Sequence, residues 1–266
     1  MKLNQRAKYI TDTLLDLSAE LKITAGFSEN EAQLIDLGVE STGSLEAGRL
    51  LAEVCLSGLA HVSYNAASSI FPTTTTVQID TDHPVQACMA SQYAGWQLAT
   101  DDYFGMGSGP MRAAAGKEAL FGEIGFTEKA EQIVGVIESG STPTASVCQL
   151  IADTCGVKPQ DLTIVYAPTA SLAGTVQVVA RSLETALHKL HELGFDLSRV
   201  QSGTGTAPLP PVAGEDLAGI GRTNDAILYG GEVTLWVTGD DQSIEQLGAQ
   251  IPSSSSEDYG RPFIEI

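Results

Sequence analysis

Five polar side chains, four of them able to hold charge or move protons, fall on one stripe of a single predicted helix. Between Thr175 and Leu193, at about 100° per residue, Gln177, Arg181, Glu184, His188 and His191 gather together. Val176, Val179, Leu183, Ala186, Leu187 and Leu190 form a separate apolar face. Arg181 and Glu184 stand three apart and are able to pair. As an ordinary surface pair they would contribute only about 0.2–0.5 kcal/mol. A Glu followed by His at +4 and +7 also shares one face, as metal ligands must. Solvated histidines favoured by the helix C-terminal dipole account for His188 and His191 equally well. The helix follows an apolar run, Leu162–Tyr166, and ligand crevices in open α/β sheets form where strands give way to such helices.

Three further clusters carry polar groups. Gly105-Met106-Gly107-Ser108-Gly109-Pro110 lets the backbone approach a ligand closely, and Pro110 suits a helix start. Gly107, Ser108 and Gly109, with Arg112 or Lys117 adding charge, would make an anion cradle. A tight strand-to-helix turn without a ligand fits the same residues, and the GK[ST] ending of a P-loop is missing. Gly221-Arg222-Thr223-Asn224-Asp225 reads as a polar loop ahead of an apolar strand, a place for binding residues or for plain turn formers. Ser91–Trp96 reads as a helix end carrying Gln92 and two aromatics.

The elements that must position these groups alternate along the chain. Amphipathic or capped helices are expected over Asn4–Leu21, from the Ser44 cap to about Ser57, from Pro84 through Ala94, over Pro143–Cys155, Thr175–Leu193 and Asp241–Gln250. Strands are expected over Thr73–Ile79, Glu131–Ile137 and Leu162–Tyr166. Ala226–Tyr229 and Val233–Val237, flanking Gly230-Gly231, read as a hairpin. Alternation of this kind argues an α/β fold with helices on sheet faces.

Composition narrows the partners. Fourteen Lys and Arg against 33 Asp and Glu give a net charge of −19, which repels phosphate backbones and anionic membrane surfaces. Neither nucleic acid nor a membrane is an expected partner, and no stretch approaches the about 20 apolar residues of a membrane span. Cys55, Cys88, Cys148 and Cys155 sit among apolar residues without a CxxC pair, so buried reduced thiols and a cytoplasmic location are expected.

The strings SLEAGR at 44–49, SQYAGW at 91–96, GMGSGPMR at 105–112, ESGS at 138–141, VYAPTASLAGTVQVVARSLETALHKLH at 165–191 and GRTNDAILYGG at 221–231 resemble, in this order, methenyltetrahydromethanopterin cyclohydrolases. The resemblance runs nearly end to end. It implies two α/β lobes side by side with the pocket between them, a homotrimer in the cytoplasm of C1-metabolising archaea or bacteria, and no metal or prosthetic group. The tetrahydromethanopterin derivative is then a substrate carrier. Catalysis falls to Arg181 and Glu184, with Glu184 as general base, by match to the family's ARxxE segment. By inference from the substrate's shape, Gly107, Ser108, Gly109 and Arg112 would hold its anionic tail. Gln92, Asn224 and Asp225, with Arg222 beside them, would read the pterin edge. Family chains continue beyond the Pro262–Ile266 segment, in a part expected to add to the second lobe. Two other readings stand beside this one: a carrier-binding protein without turnover, and a metal-dependent hydrolase using Glu184, His188 and His191.

Overall fold

The apolar runs Ile133–Glu138 and Leu162–Ala167 are buried on both faces, as strands inside a helix-covered parallel sheet must be. They form the middle of the larger of two sheets. The computed structural model describes residues 1–66 and 75–266. In chain order the strands are β1 (Thr24–Phe27), β2 (Gln33–Asp36), β3 (His61–Asn65), β4 (Thr76–Thr81), β5 (Trp96–Thr100), β6 (Tyr103–Ser108), β7 (Ile133–Glu138), β8 (Leu162–Ala167), β9 (Val200–Pro208) and β10 (Glu232–Val237). The helices are α1 (Leu3–Asp16), α2 (Ser18–Leu21), α3 (Leu45–Cys55), α4 (Met111–Ala115), α5 (Ala119–Glu123), α6 (Ala145–Cys155), α7 (Leu172–Val179), α8 (Ser182–Glu192), α9 (Asp216–Gly230) and α10 (Asp241–Gly248). A π-helix spans Val85–Gln92.

The larger sheet has the order β1-β2-β8-β7-β6-β5, with β2, β8 and β7 parallel and the flanking strands antiparallel. The smaller, β10-β9-β4-β3, is antiparallel throughout. Each sheet carries its own helices, which gives the two α/β lobes. Their strands interleave in sequence, because β3 and β4 leave the first lobe to join the second. No helix among the described residues is long and apolar enough to cross a membrane.

Five expectations about elements are corrected, the first being the single helix over Asn4–Leu21, which is interrupted at Leu17. The helix over Thr175–Leu193 is two helices, broken at Ala180 and Arg181. The polar loop and hairpin around residues 221–237 are the second half of α9 followed by β10, which pairs with β9 rather than with residues 226–229. The glycine-rich segment is largely strand β6: Gly105 and Gly107 sit where a Cβ would meet Ile137 or Met111 at 2.7 Å, so they serve close packing. The helix expected through Ala94 ends as a π-helix at Gln92, and Trp96 already belongs to β5. The expected Thr73–Ile79 strand is seen from Thr76, while Thr73 and Thr74 lie outside the described residues. Cys55, Cys88 and Cys148 are buried, Cys155 is half-buried, and all four are unpaired thiols.

The π-helix has a structural reason. Its wide turns, such as the Tyr93 amide donating to the Cys88 carbonyl at 2.8 Å, free carbonyls that a tighter helix would use. Arg112, fully buried, donates from Nη1 to the carbonyls of Met89 and Ser91 at 3.0 and 3.3 Å. Its Nε and Nη2 form a fork on Glu118 at 2.8 and 2.5 Å. The guanidinium lies between the rings of Tyr93 and Phe121, 4.9 and 5.3 Å from their centroids. All of this corrects the expectation that Arg112 presents charge to a ligand. Arg112→Met should strand the Glu118 carboxylate and cost about 3–5 kcal/mol, read as a lower urea midpoint.

Candidate active site

The break between α7 and α8 sits where the two lobes meet. The residues of α7 pack on α3, and Ala173 joins the core of the first lobe. In α8, Leu183, Leu187 and Leu190 join the core of the second. Ser171 caps α7 by accepting from the Gly174 amide at 3.0 Å, directly after β8. In the second lobe, Gly203 and Gly205 of β9 give α8 its seat, since a Cβ at 205 would lie 2.7 Å from Ser182 Oγ. Arg181 therefore stands at the junction, with the carboxyl ends of the parallel strands on one side.

Arg181 is 7% exposed, and its Nη2 donates to Glu138 Oε1 at 2.5 Å and to Ser108 Oγ at 3.4 Å. Glu138 closes β7, and Ser108 closes β6. Gln177, on α7, donates from Nε2 to the same Glu138 oxygen at 3.4 Å and to Cys55 Sγ at 3.6 Å. Cys55 Sγ lies 3.3 Å from Ser108 Oγ, which closes a ring of four polar side chains around the guanidinium. Burial pushes the Cys55 thiol up, so it stays protonated at neutral pH. Burial also works against the Arg181 charge, but the carboxylates of Glu138 and Glu184 outweigh it.

Glu184 occupies the third position of α8 and is 6% exposed. Among the described residues no hydrogen bond to its carboxyl is found, and burial and nearby charges set its proton affinity. Burial raises its pKa from 4.5 to about 7, against the pull of Arg181 and Arg112, and Glu138 adds to the rise. A carboxyl that is half ionised at neutral pH beside a fixed cation is suited to taking a proton and returning it.

Several atoms here have no protein partner among the described residues. Gln92 Oε1, Gln177 Oε1, Arg181 Nε and Ser182 Oγ are all buried and unsatisfied. Buried polar groups are nearly always paired, and four exceptions around one helix break mark a place that a ligand or water completes.

The other expected residues are elsewhere. The Gly109 amide, at φ +83°, donates to the Ser91 carbonyl at 2.8 Å, and Gly107 is paired within the sheet, so neither offers an N–H to an anion. Arg222 donates to the carbonyls of Pro211 and Val212 at 3.1 Å, and Asn224 to that of Ile220 at 2.9 Å. Asp225 accepts from the Phe263 amide at 2.8 Å. Among the described residues no hydrogen bond or ion pair joins these three to Arg181 or Glu184. His188 stacks on Tyr93, with centroids 4.8 Å apart, and His191 Nε2 meets Glu123 at 2.5 Å. Both imidazoles also lie within 4 Å of Glu192 Oε1, at 3.7 and 3.8 Å, yet no group of three His, Cys, Asp or Glu suited to a metal occurs among the described residues. Glu138 was not anticipated. Its signal is a lone carboxylate ending the apolar strand IVGVIE.

The raised Glu184 pKa has a stability consequence. Between about pH 4.5 and 7 the folded chain holds a proton that the unfolded chain has lost, so stability falls as pH rises through this window. The ionised fold bears a penalty on the order of 3 kcal/mol. Glu184→Gln, free of that penalty, should gain in urea midpoint over the parent at pH 8 and not at pH 4.5.

Comparison with known proteins identifies the family. The cyclohydrolase (MCH) family model matches residues 2–266. A methenyltetrahydromethanopterin cyclohydrolase of Methylobacillus flagellatus is 45% identical over 263 residues, covering 99% of this chain and 80% of its own length. One from Rhodopirellula baltica is 50% identical over 240 residues, covering 88% and 72%. One from Methanococcoides burtonii is 43% identical over 265 residues, covering 99% and 83%. With a family model matching residues 2–266 and relatives 43–50% identical along most of the chain, the chain belongs to the methenyltetrahydromethanopterin cyclohydrolase family.

Proposed function

We propose that this chain catalyses the reversible hydrolysis of 5,10-methenyltetrahydromethanopterin to 5-formyltetrahydromethanopterin. The observation that carries the proposal is Glu184: a buried carboxyl without hydrogen bonds among the described residues, poised near neutrality beside Arg181. The substrate is a cation whose bridging carbon is already electrophilic. Water is the weak partner and must lose a proton as its oxygen bonds to that carbon. Glu184 takes this proton, and the carbon becomes a neutral tetrahedral hydroxy adduct. The bond from this carbon to one nitrogen then breaks, that nitrogen gains a proton from Glu184, and the hydroxyl proton leaves as the formyl C=O forms. One water is consumed and one proton released.

Arg181 keeps Glu184 ionisable and stabilises oxygen charge during collapse of the adduct. Glu138 fixes the guanidinium from behind, which leaves its unpaired Nε as a donor for oxygen. Positive charge on Arg181 also faces a cationic substrate, and the carboxylates of Glu138 and Glu184 together offset it. In this reading the subunit is a cytoplasmic homotrimer without a prosthetic group, as in the resemblance drawn from its sequence strings.

The test is the absorbance decay of the methenyl substrate with purified protein, against the spontaneous rate. Glu184→Gln should lose about 10²–10⁴-fold in kcat while staying folded. Near-parental turnover by that variant removes Glu184 from the mechanism. In the parent, kcat/KM should climb with pH through about 7 and then level, because the ionised carboxylate is the active form.

A further inference from the structure

We propose that Gln92 is a positioning residue that keeps the helix broken at Ala180 and so aims Arg181 and Glu184 at the substrate. The proposal rests on the cyclohydrolase reading for its kinetic arm, though its structural arm stands apart.

In a continuous helix the Ala180 carbonyl would accept the amide of Glu184, four residues on. It does not. Among the described residues no backbone N–H reaches that carbonyl, although the equivalent bond one residue later, from the Thr185 amide to the Arg181 carbonyl, is made at 2.8 Å. The buried side chain of Gln92 takes its place, donating from Nε2 at 2.9 Å. A buried carbonyl left without a donor is costly, so whichever donor supplies it decides whether the helix is broken or straight.

The donor is held firmly. Gln92 ends the π-helix, and the residues before it are fastened to the first lobe. Arg112 and the Gly109 amide both donate to the Ser91 carbonyl, and Ser91 Oγ donates to the Cys55 carbonyl at 2.6 Å. The amide is not present for its own satisfaction, since Oε1 is buried with no partner among the described residues. An apolar side chain of the same length would fill the space without that orphan atom. What it would lack is the N–H. A wrong angle at Ala180 would swing Glu184, four residues on, and a displacement near 1 Å is enough to cost about 100-fold in rate.

Gln92→Met keeps length and volume while removing the donor. Three quantities are read: kcat, KM and the amide hydrogen exchange of Glu184. The expected result is a kcat about 10–100-fold lower with KM within about threefold, and slower exchange at Glu184 as its amide takes the vacated carbonyl. A raised KM with unchanged kcat would make Gln92 a substrate contact and overturn the proposal, as would parental kinetics with unchanged exchange. Should Gln92→Met not fold, Gln92→Glu replaces it. That variant offers a donor only when neutral, so its kcat relative to the parent must fall with rising pH, and a constant ratio overturns the proposal. If the parent itself does not hydrolyse the methenyl substrate, the cyclohydrolase reading fails, while the exchange at Glu184 still decides the role of Gln92.

Discussion

The interruption of one helix at Ala180 and Arg181 governs the layout of both lobes. The two segments have different jobs before and after it. α7 must lie close against α3, so close that a Cβ on Gly48 would meet Val176 Cβ at 2.8 Å. α8 must instead lie on β9, with Leu183 against Gly203 and Gly205. A straight helix has one axis, and these two seats belong to two sheets. The break resolves the conflict and places the residue at the bend, Arg181, on the boundary between the cores. Glu138 and Ser108 reach it from strand ends, Gln177 from the helix before, and Glu184 from the helix after.

Charge at such a boundary is expensive, and the site does not minimise the expense. A buried ion pair such as Arg181–Glu138 is weak support for stability, because desolvation offsets most of its attraction. Glu184 adds a second carboxyl that accepts no hydrogen bond among the described residues, where several buried polar atoms are also left unpaired. An apolar filling would be the more stable solution. Retaining unsatisfied groups in one small volume is the pattern of a site prepared for charge that arrives later, with the substrate and its attacking water.

Legibility of this arrangement in the sequence was uneven, for identifiable reasons. β7 and β8 were plain because runs such as LTIVY and IVGVI are apolar throughout. The 3.6-residue period placed Gln177, Arg181 and Glu184 on one stripe, and that survives the break because the bend is local. The break itself was invisible: Ala180 and Arg181 are good helix formers, and the donor that takes the Ala180 carbonyl lies 88 positions away. The 221–231 string was misread because Gly230-Gly231 suggests a hairpin, whereas tertiary packing on α7 and β9 makes it the end of α9. Arg112 was misassigned for a related reason. A cation after a glycine-rich segment suggests an anion site, and nothing local reveals that Glu118 and two π-helical carbonyls already occupy it.

The two buried arginines show how structure separates support from chemistry when sequence does not. Both sit beside a carboxylate and both are nearly or fully excluded from solvent. Arg112 has Nε, Nη1 and Nη2 all matched to acceptors and its faces covered by Tyr93 and Phe121. Each of its three nitrogens already has an acceptor, so its work is to fix the π-helix. Arg181 spends Nη2 on Glu138 and Ser108, leaves Nε unpaired, and faces a second carboxylate that it attracts without touching. Residual hydrogen-bonding capacity, rather than burial or charge, is what distinguishes them. The two are linked in one chain of contacts: Glu118 holds Arg112, Arg112 holds the end of the π-helix, and Gln92 at that end reaches the carbonyl just before Arg181. The saturated arginine therefore sets the position of the unsaturated one.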